Sequence, residues 1–184
     1  MRRESLVLWL LLFEVPVVFA AQKDIDPDHS SLTIHVGKSG FLAAAGHEHV
    51  VTAPIAEGII DNGPEANVRF RVDASRLVVL PEEHESEIQH SMQERVLESG
   101  RFPEIAFTSQ SVRPAGADNW IVYGSLMLHG QVKALQISVR KIEANYVGMT
   151  TIKQSDFGIQ PVSAAGGTVK VKNELKIEFS IRTK

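Results

Sequence analysis

The chain contains no cysteine. Disulfides, thiolate nucleophiles, iron–sulfur clusters and Cys-ligated zinc are excluded at once, and so is a lipid attached through a cysteine. It also lacks an excess of positive charge, with 19 basic against 22 acidic residues and a net charge of -3. A sequence-independent grip on nucleic-acid phosphates needs clustered Lys and Arg, so DNA and RNA are not expected partners. Long apolar runs are missing too. The longest, Leu6–Phe13, falls well short of the ~20 residues a membrane-spanning helix requires. No His-Glu-x-x-His, Gly-x-Ser-x-Gly or phosphate-cradling glycine loop is present, and the serines and acids assemble no triad. The chain does not read as an enzyme and implies no cofactor. What remains is 184 residues, 43% of them hydrophobic, enough for one well-cored domain.

The first 20 residues differ in kind from the rest. Arg2 and Arg3 form a positive start, Leu6–Phe13 an apolar middle, and Val18-Phe19-Ala20 a small-residue cleavage pattern, so residues 1–20 read as a signal peptide cut after Ala20. Its removal takes away Arg2, Arg3, Glu4 and Glu14, two charges of each sign, and leaves the net charge at -3. The expected product is residues 21–184, a periplasmic or secreted domain with no stable membrane span.

From residue 26 onward apolar residues recur with period two, as in strands with one buried face. Near the C-terminus Val169, Val171, Leu175, Ile177, Phe179 and Ile181 share one parity, while Lys170, Lys172, Glu174, Lys176, Glu178 and Arg182 share the other. Asn173 interrupts the apolar series and marks a bulge or an inward polar contact. Strands are further expected over Leu32–Val36, His49–Ile60, Val68–Val72, Ile105–Val112, Trp120–Leu128, Leu135–Val139 and Ala144–Lys153, with turn signals between them. One stretch, Ser86–Ser99, reads as a helix, with Ile88, Met92 and Val96 on one stripe and Gly100 as its expected C-cap. The acidic residues Glu82, Glu83, Glu85 and Glu87 before and in its first turn suit the helix dipole better than a metal. Together these elements predict an all-β dominated fold. They form a single antiparallel barrel of about eight strands, lipocalin-like in shape, with one short covering helix.

Several segments carry a resemblance. Asp26-Pro27-Asp28-His29-Ser30, the run Phe102-Pro103-Glu104-Ile105-Ala106-Phe107, the hairpin Tyr123–Gly130 and the segment Ser155-Asp156-Phe157-Gly158-Ile159 occur in the order seen in the YceI-like, polyisoprenoid-binding domains, over residues 25–182. Gln154 departs from the Arg that such domains often carry there, and Gln131-Val132 replaces a usual Val-Thr. The resemblance implies an extended barrel with a long apolar pore holding an isoprenoid lipid, of the quinone or polyprenyl phosphate class, in an exported protein whose relatives can pair as homodimers. Phe41, Phe70, Phe107, Trp120, Phe157 and Phe179 are the candidate pore-wall residues, although an aromatic in a strand is more often ordinary core. Asp156-Phe157-Gly158 also matches the magnesium-binding triplet of kinases, but none of the accompanying kinase motifs is present.

His47-Glu48-His49 places two imidazoles two residues apart, on one side of a strand. Three readings stand side by side. The side chains are structural; or they meet a polar lipid head at the pocket mouth; or they bind a metal in a redox-associated protein, with His29, His129 or an acidic residue as a third ligand. The second reading predicts binding that weakens as pH rises.

Overall fold

The structure, a computed structural model, describes residues 22–39, 49–63, 65–80, 86–164 and 169–184. The expected signal peptide, Phe41, His47 and the acidic run Glu82–Glu85 lie outside the described residues. Among the described residues twelve strands occur in chain order: β1 (Gln22–Asp24), β2 (Ser31–Ser39), β3 (His49–Thr52), β4 (Ile55–Asp61), β5 (Asn67–Asp73), β6 (Val78–Leu80), β7 (Glu104–Pro114), β8 (Asn119–Leu128), β9 (Gln131–Ile142), β10 (Asn145–Lys153), β11 (Ser163–Ala164) and β12 (Val169–Arg182). A helix, α1 (Ser86–Ser91), runs into a π-helical turn at Met92–Val96 between β6 and β7.

Eleven strands form one antiparallel path in the order β1-β4-β5-β7-β8-β9-β10-β12-β2-β3-β6, and β11 pairs beside it with β12. The path has two ends, β1 and β6. The sheet is therefore an open, curled half-barrel, which corrects the expectation of a closed barrel of about eight strands. The local cause is Pro54, which has no N–H to give to a ladder. It splits the single strand expected over His49–Ile60 into β3, which pairs with β2, and β4, which pairs with β5. These partners stand far apart in the sheet order, yet only Ala53 and Pro54 separate β3 from β4, so the chain itself curls the sheet back on itself.

Each end strand is three residues long, which limits the edge it offers to other chains. The β6 edge is covered by the helix. Gln89 mimics a neighbouring strand there, its Oε1 accepting from the Val79 N–H and its Nε2 donating to the Leu77 carbonyl, both at 2.8 Å. Gln93, one turn on, donates to the same carbonyl at 3.1 Å. The helix is shorter than the expected Ser86–Ser99. A Leu97 N–H to Met92 carbonyl bond widens its last turn, and Glu98 at φ 45° ends it, a role the sequence assigned to Gly100.

The alternation in β12 predicts its inward face correctly. Val171, Leu175, Ile177, Phe179 and Ile181 all face the interior space, and the ladder with β2 shifts register between Val171 and Leu175, around Asn173. There Asn173 leaves the apolar series and clasps the chain after β10, with Oδ1 accepting from the Ser155 N–H and Nδ2 donating to Ser155 Oγ, each at 2.9 Å. The main core gathers Val51, Val72, Leu77, Val79, Phe107 and Phe157 with their neighbours. A smaller cluster of Ile25, Ile55, Ile60 and Ile181 closes the end near β1.

Candidate functional site

The inward faces do not meet across the curl. They enclose a cavity of about 860 Å³, within the ~300–1,000 Å³ of small-molecule sites. Most of its wall is aliphatic, from Leu32, Ile34 and Val36 on β2 through Val122, Leu126 and Leu128 on β8. The helix supplies the remaining side through Ile88, Met92, Val96 and Leu97.

Glycines at two wall positions keep the space open. A Cβ at Gly124 would stand 2.5 Å from Phe107 Cζ and 2.7 Å from the Thr108 carbonyl oxygen. At Gly148 it would stand 2.7 Å from the Ser138 carbonyl oxygen and 3.0 Å from Phe179 Cε1. Each phenyl ring thus lies across a neighbouring strand over a missing side chain, instead of projecting into the lumen.

The polar groups divide between the two ends. Lys38 and His49, at the end of β2 and the start of β3, share one end with Glu87, Ser91 and Arg95 of the helical segment. Asp61, Asn62, Asn67, Asp118 and Lys141 line the other, at the β4–β5, β7–β8 and β9–β10 turns. That second end is narrowed by Trp120 and Tyr146, whose rings lie 5.9 Å apart. Tyr146 Oη donates to Asn62 Oδ1 at 3.3 Å, and Lys141 Nζ sits 6.0 Å from the Tyr146 ring centre.

Of the residues singled out from sequence, Phe70, Phe107, Trp120 and Phe179 line the cavity, with Phe70 and Phe107 stacked at 5.7 Å. Phe157 is 1% exposed and packs in the main core, outside the cavity wall. His49 opens β3 and lines the cavity. The histidines considered as third metal ligands are engaged elsewhere. His29 Nδ1 bonds Asp26 at 2.8 Å, while His129 bridges the Phe157 carbonyl and Glu98 Oε1, each at 3.2 Å, beneath the Phe102 ring. Among the described residues no three His, Asp or Glu side chains gather as a metal site.

Sequence reasoning passed over Lys38, Arg95, Tyr146 and the buried Gln154 as lining residues. For Gln154 a signal existed, since it continues the inward parity of Thr150 and Ile152 at the end of β10. The helical residue Arg95 carried none, because its place depends on where the helix docks.

Residues 24–183 match the YceI-like domain family. A UPF0312 protein of Shewanella oneidensis is 26% identical over 168 residues, covering 85% of this chain and 86% of that protein. Among solved structures, Burkholderia cenocepacia BcnA superposes with a TM-score of 0.61 at 16% identity, covering 85% of this chain and 98% of that one. A polyisoprenoid binding domain from Saccharophagus degradans, implicated in plant cell wall breakdown, gives 0.62 at 14% identity, covering 90% and 98%. No helix among the described residues is long and apolar enough to cross a membrane. The largely apolar cavity lies within a chain that belongs to the YceI-like domain family.

Proposed function

We propose that the chain is an exported carrier that shelters an isoprenoid lipid, of the quinone or polyprenyl phosphate class, from water. The observation that carries this reading is the largely apolar cavity of about 860 Å³ with its charged groups at the two ends. An amphiphile with a long hydrocarbon chain matches that distribution, since its tail meets mostly carbon along the wall. The likeness in fold to a polyisoprenoid binding domain favours an isoprenoid over other apolar molecules. Each buried methylene contributes ~0.8 kcal/mol, so one isoprene unit supplies roughly 3–4 kcal/mol before entropic costs. Non-covalent affinity saturates near roughly -18 to -21 kcal/mol, so a few buried units suffice and the length of the tail need not be read.

In this reading Phe70, Phe107, Trp120 and Phe179 contact the tail, and His49 lies at the head-group end. Residues 1–20 direct export and are removed, which places the working protein in the periplasm or outside the cell. Native mass spectrometry of gently purified protein, followed by organic extraction, tests the proposal. A co-purifying isoprenoid at near-stoichiometric level is the expected result. Protein that retains no apolar molecule and takes up none when offered refutes it. N-terminal sequencing of the exported form should begin at Ala21.

A further inference from the structure

Among the described residues Gln154 alone combines a polar side chain with burial, at 4% exposure, and it lines the cavity. Its placement follows from the bulge in β12. Between Val171 and Leu175 the strand leaves its register with β2, and the Lys172 carbonyl there accepts from Gln154 Nε2 at 2.9 Å. This bond fixes the orientation of the amide, because only the nitrogen can donate to a carbonyl. The amide oxygen must therefore face away from Lys172. No described residue donates to it. Among the described residues Gln154 Oε1 is not one of the sealed side-chain atoms left without a bond, and the residue itself lines the cavity.

A neutral acceptor in a mostly apolar wall discriminates by hydrogen-bond role. A hydroxyl can donate to it; an ether, an ester or an oxidised quinone carbonyl presents only lone pairs and leaves it unpaired. We infer that Gln154 Oε1 accepts a hydrogen bond from a hydroxyl of the guest, so that the cavity selects an isoprenoid alcohol or quinol over the same chain with a donor-free head. The inference rests on the carrier reading and refines which member of the class is held.

The test is displacement of the fluorescent dye N-phenyl-1-naphthylamine from the purified chain by geranylgeraniol and by its methyl ether. The wild type should bind the alcohol about 3- to 10-fold more tightly than the ether, the range of one neutral hydrogen bond. Gln154→Leu and Gln154→Arg should bind the two alike; the Arg variant keeps a donor for the Lys172 carbonyl while removing the acceptor. Equal affinities in the wild type, with the dye and both guests bound, overturn this inference and leave the carrier reading standing. A preference that persists in folded Gln154→Leu or Gln154→Arg protein overturns it as well. Failure of the wild type to take up dye or guest removes the carrier reading and this inference with it. If either variant fails to fold, as thermal unfolding will show, the wild-type comparison decides alone.

Discussion

The hollow depends on close approach of the Phe107 ring to the backbone at Gly124, and Gly124→Ala tests that dependence. Carbon atoms in contact settle at ~3.5–4.0 Å. The new methyl would begin 2.5 Å from Phe107 Cζ and 2.8 Å from Cε2, so the ring must retreat by roughly 1 Å. It cannot retreat freely, because Phe70 stacks on it at 5.7 Å. The Thr108 carbonyl oxygen, 2.7 Å from the methyl, belongs to the β7 ladder that β8 itself pairs with, so the two strands must also part locally. Overpacking of this kind costs ~1–3 kcal/mol. The lost flexibility of glycine in the unfolded chain offsets ~0.4–1 kcal/mol of that. A net loss of about 1–2 kcal/mol is expected, hence a fall in Tm of roughly 2–8 °C for a domain of this size. Urea unfolding should show a lower midpoint at unchanged slope. The displaced ring should also weaken uptake of a hydrophobic dye, since Phe107 lines the cavity. The double variant Gly124→Ala/Phe107→Leu should recover part of the dye affinity. A Gly124→Ala protein more stable than the parent, with full dye uptake, would refute the account of how the space is kept open.

Other expectations follow from single contacts. Gln89→Met removes both bonds to the β6 edge and should cost about 1–3 kcal/mol, with faster hydrogen exchange at the Val79 amide; unchanged exchange there would remove Gln89 from the role of clasp. The hydroxyl and backbone N–H of Ser75 hold the Asp73 carboxyl below its usual range, and Lys176 beside Glu178 does the same there. Groups depressed in this way add stability above the unfolded carboxylate pKa and lose it as pH falls through the lower folded value. The urea midpoint should therefore drop on acidification, more shallowly in Asp73→Asn, and identical acid limbs would contradict the assignment. If the guest carries a polar head near His49, His49→Gln should weaken its binding while leaving uptake of a headless hydrocarbon unchanged, and equal head-group affinity in the variant would place the head elsewhere.

The parts of this fold that were legible in the sequence are those that depend on near neighbours. In β12, the alternation of Leu175, Ile177, Phe179 and Ile181 with Lys176, Glu178 and Arg182 fixes which side faces inward, and Asn173 marks the register shift because a polar residue breaks the series. Closure of the sheet is a different kind of property. The sequence reads His49–Ile60 as one strand, but the missing N–H of Pro54 and a register shift between Ile55 and Glu57 separate a strand that pairs on one side from one that pairs on the other. The same distinction governs the site. Alternation places Phe70, Phe107, Trp120 and Phe179 on the inner face, but the same alternation would place them there in a solid core. For two of these rings the wall geometry rests on a glycine of the neighbouring strand, Gly124 beside Phe107 and Gly148 beside Phe179. That pairing is a matter of register between segments more than ten residues apart, so a reading of one strand at a time cannot supply it. At Gly124 and Gly148 the backbone lies too close to the Phe107 and Phe179 rings for a Cβ, so those two rings lie along the wall.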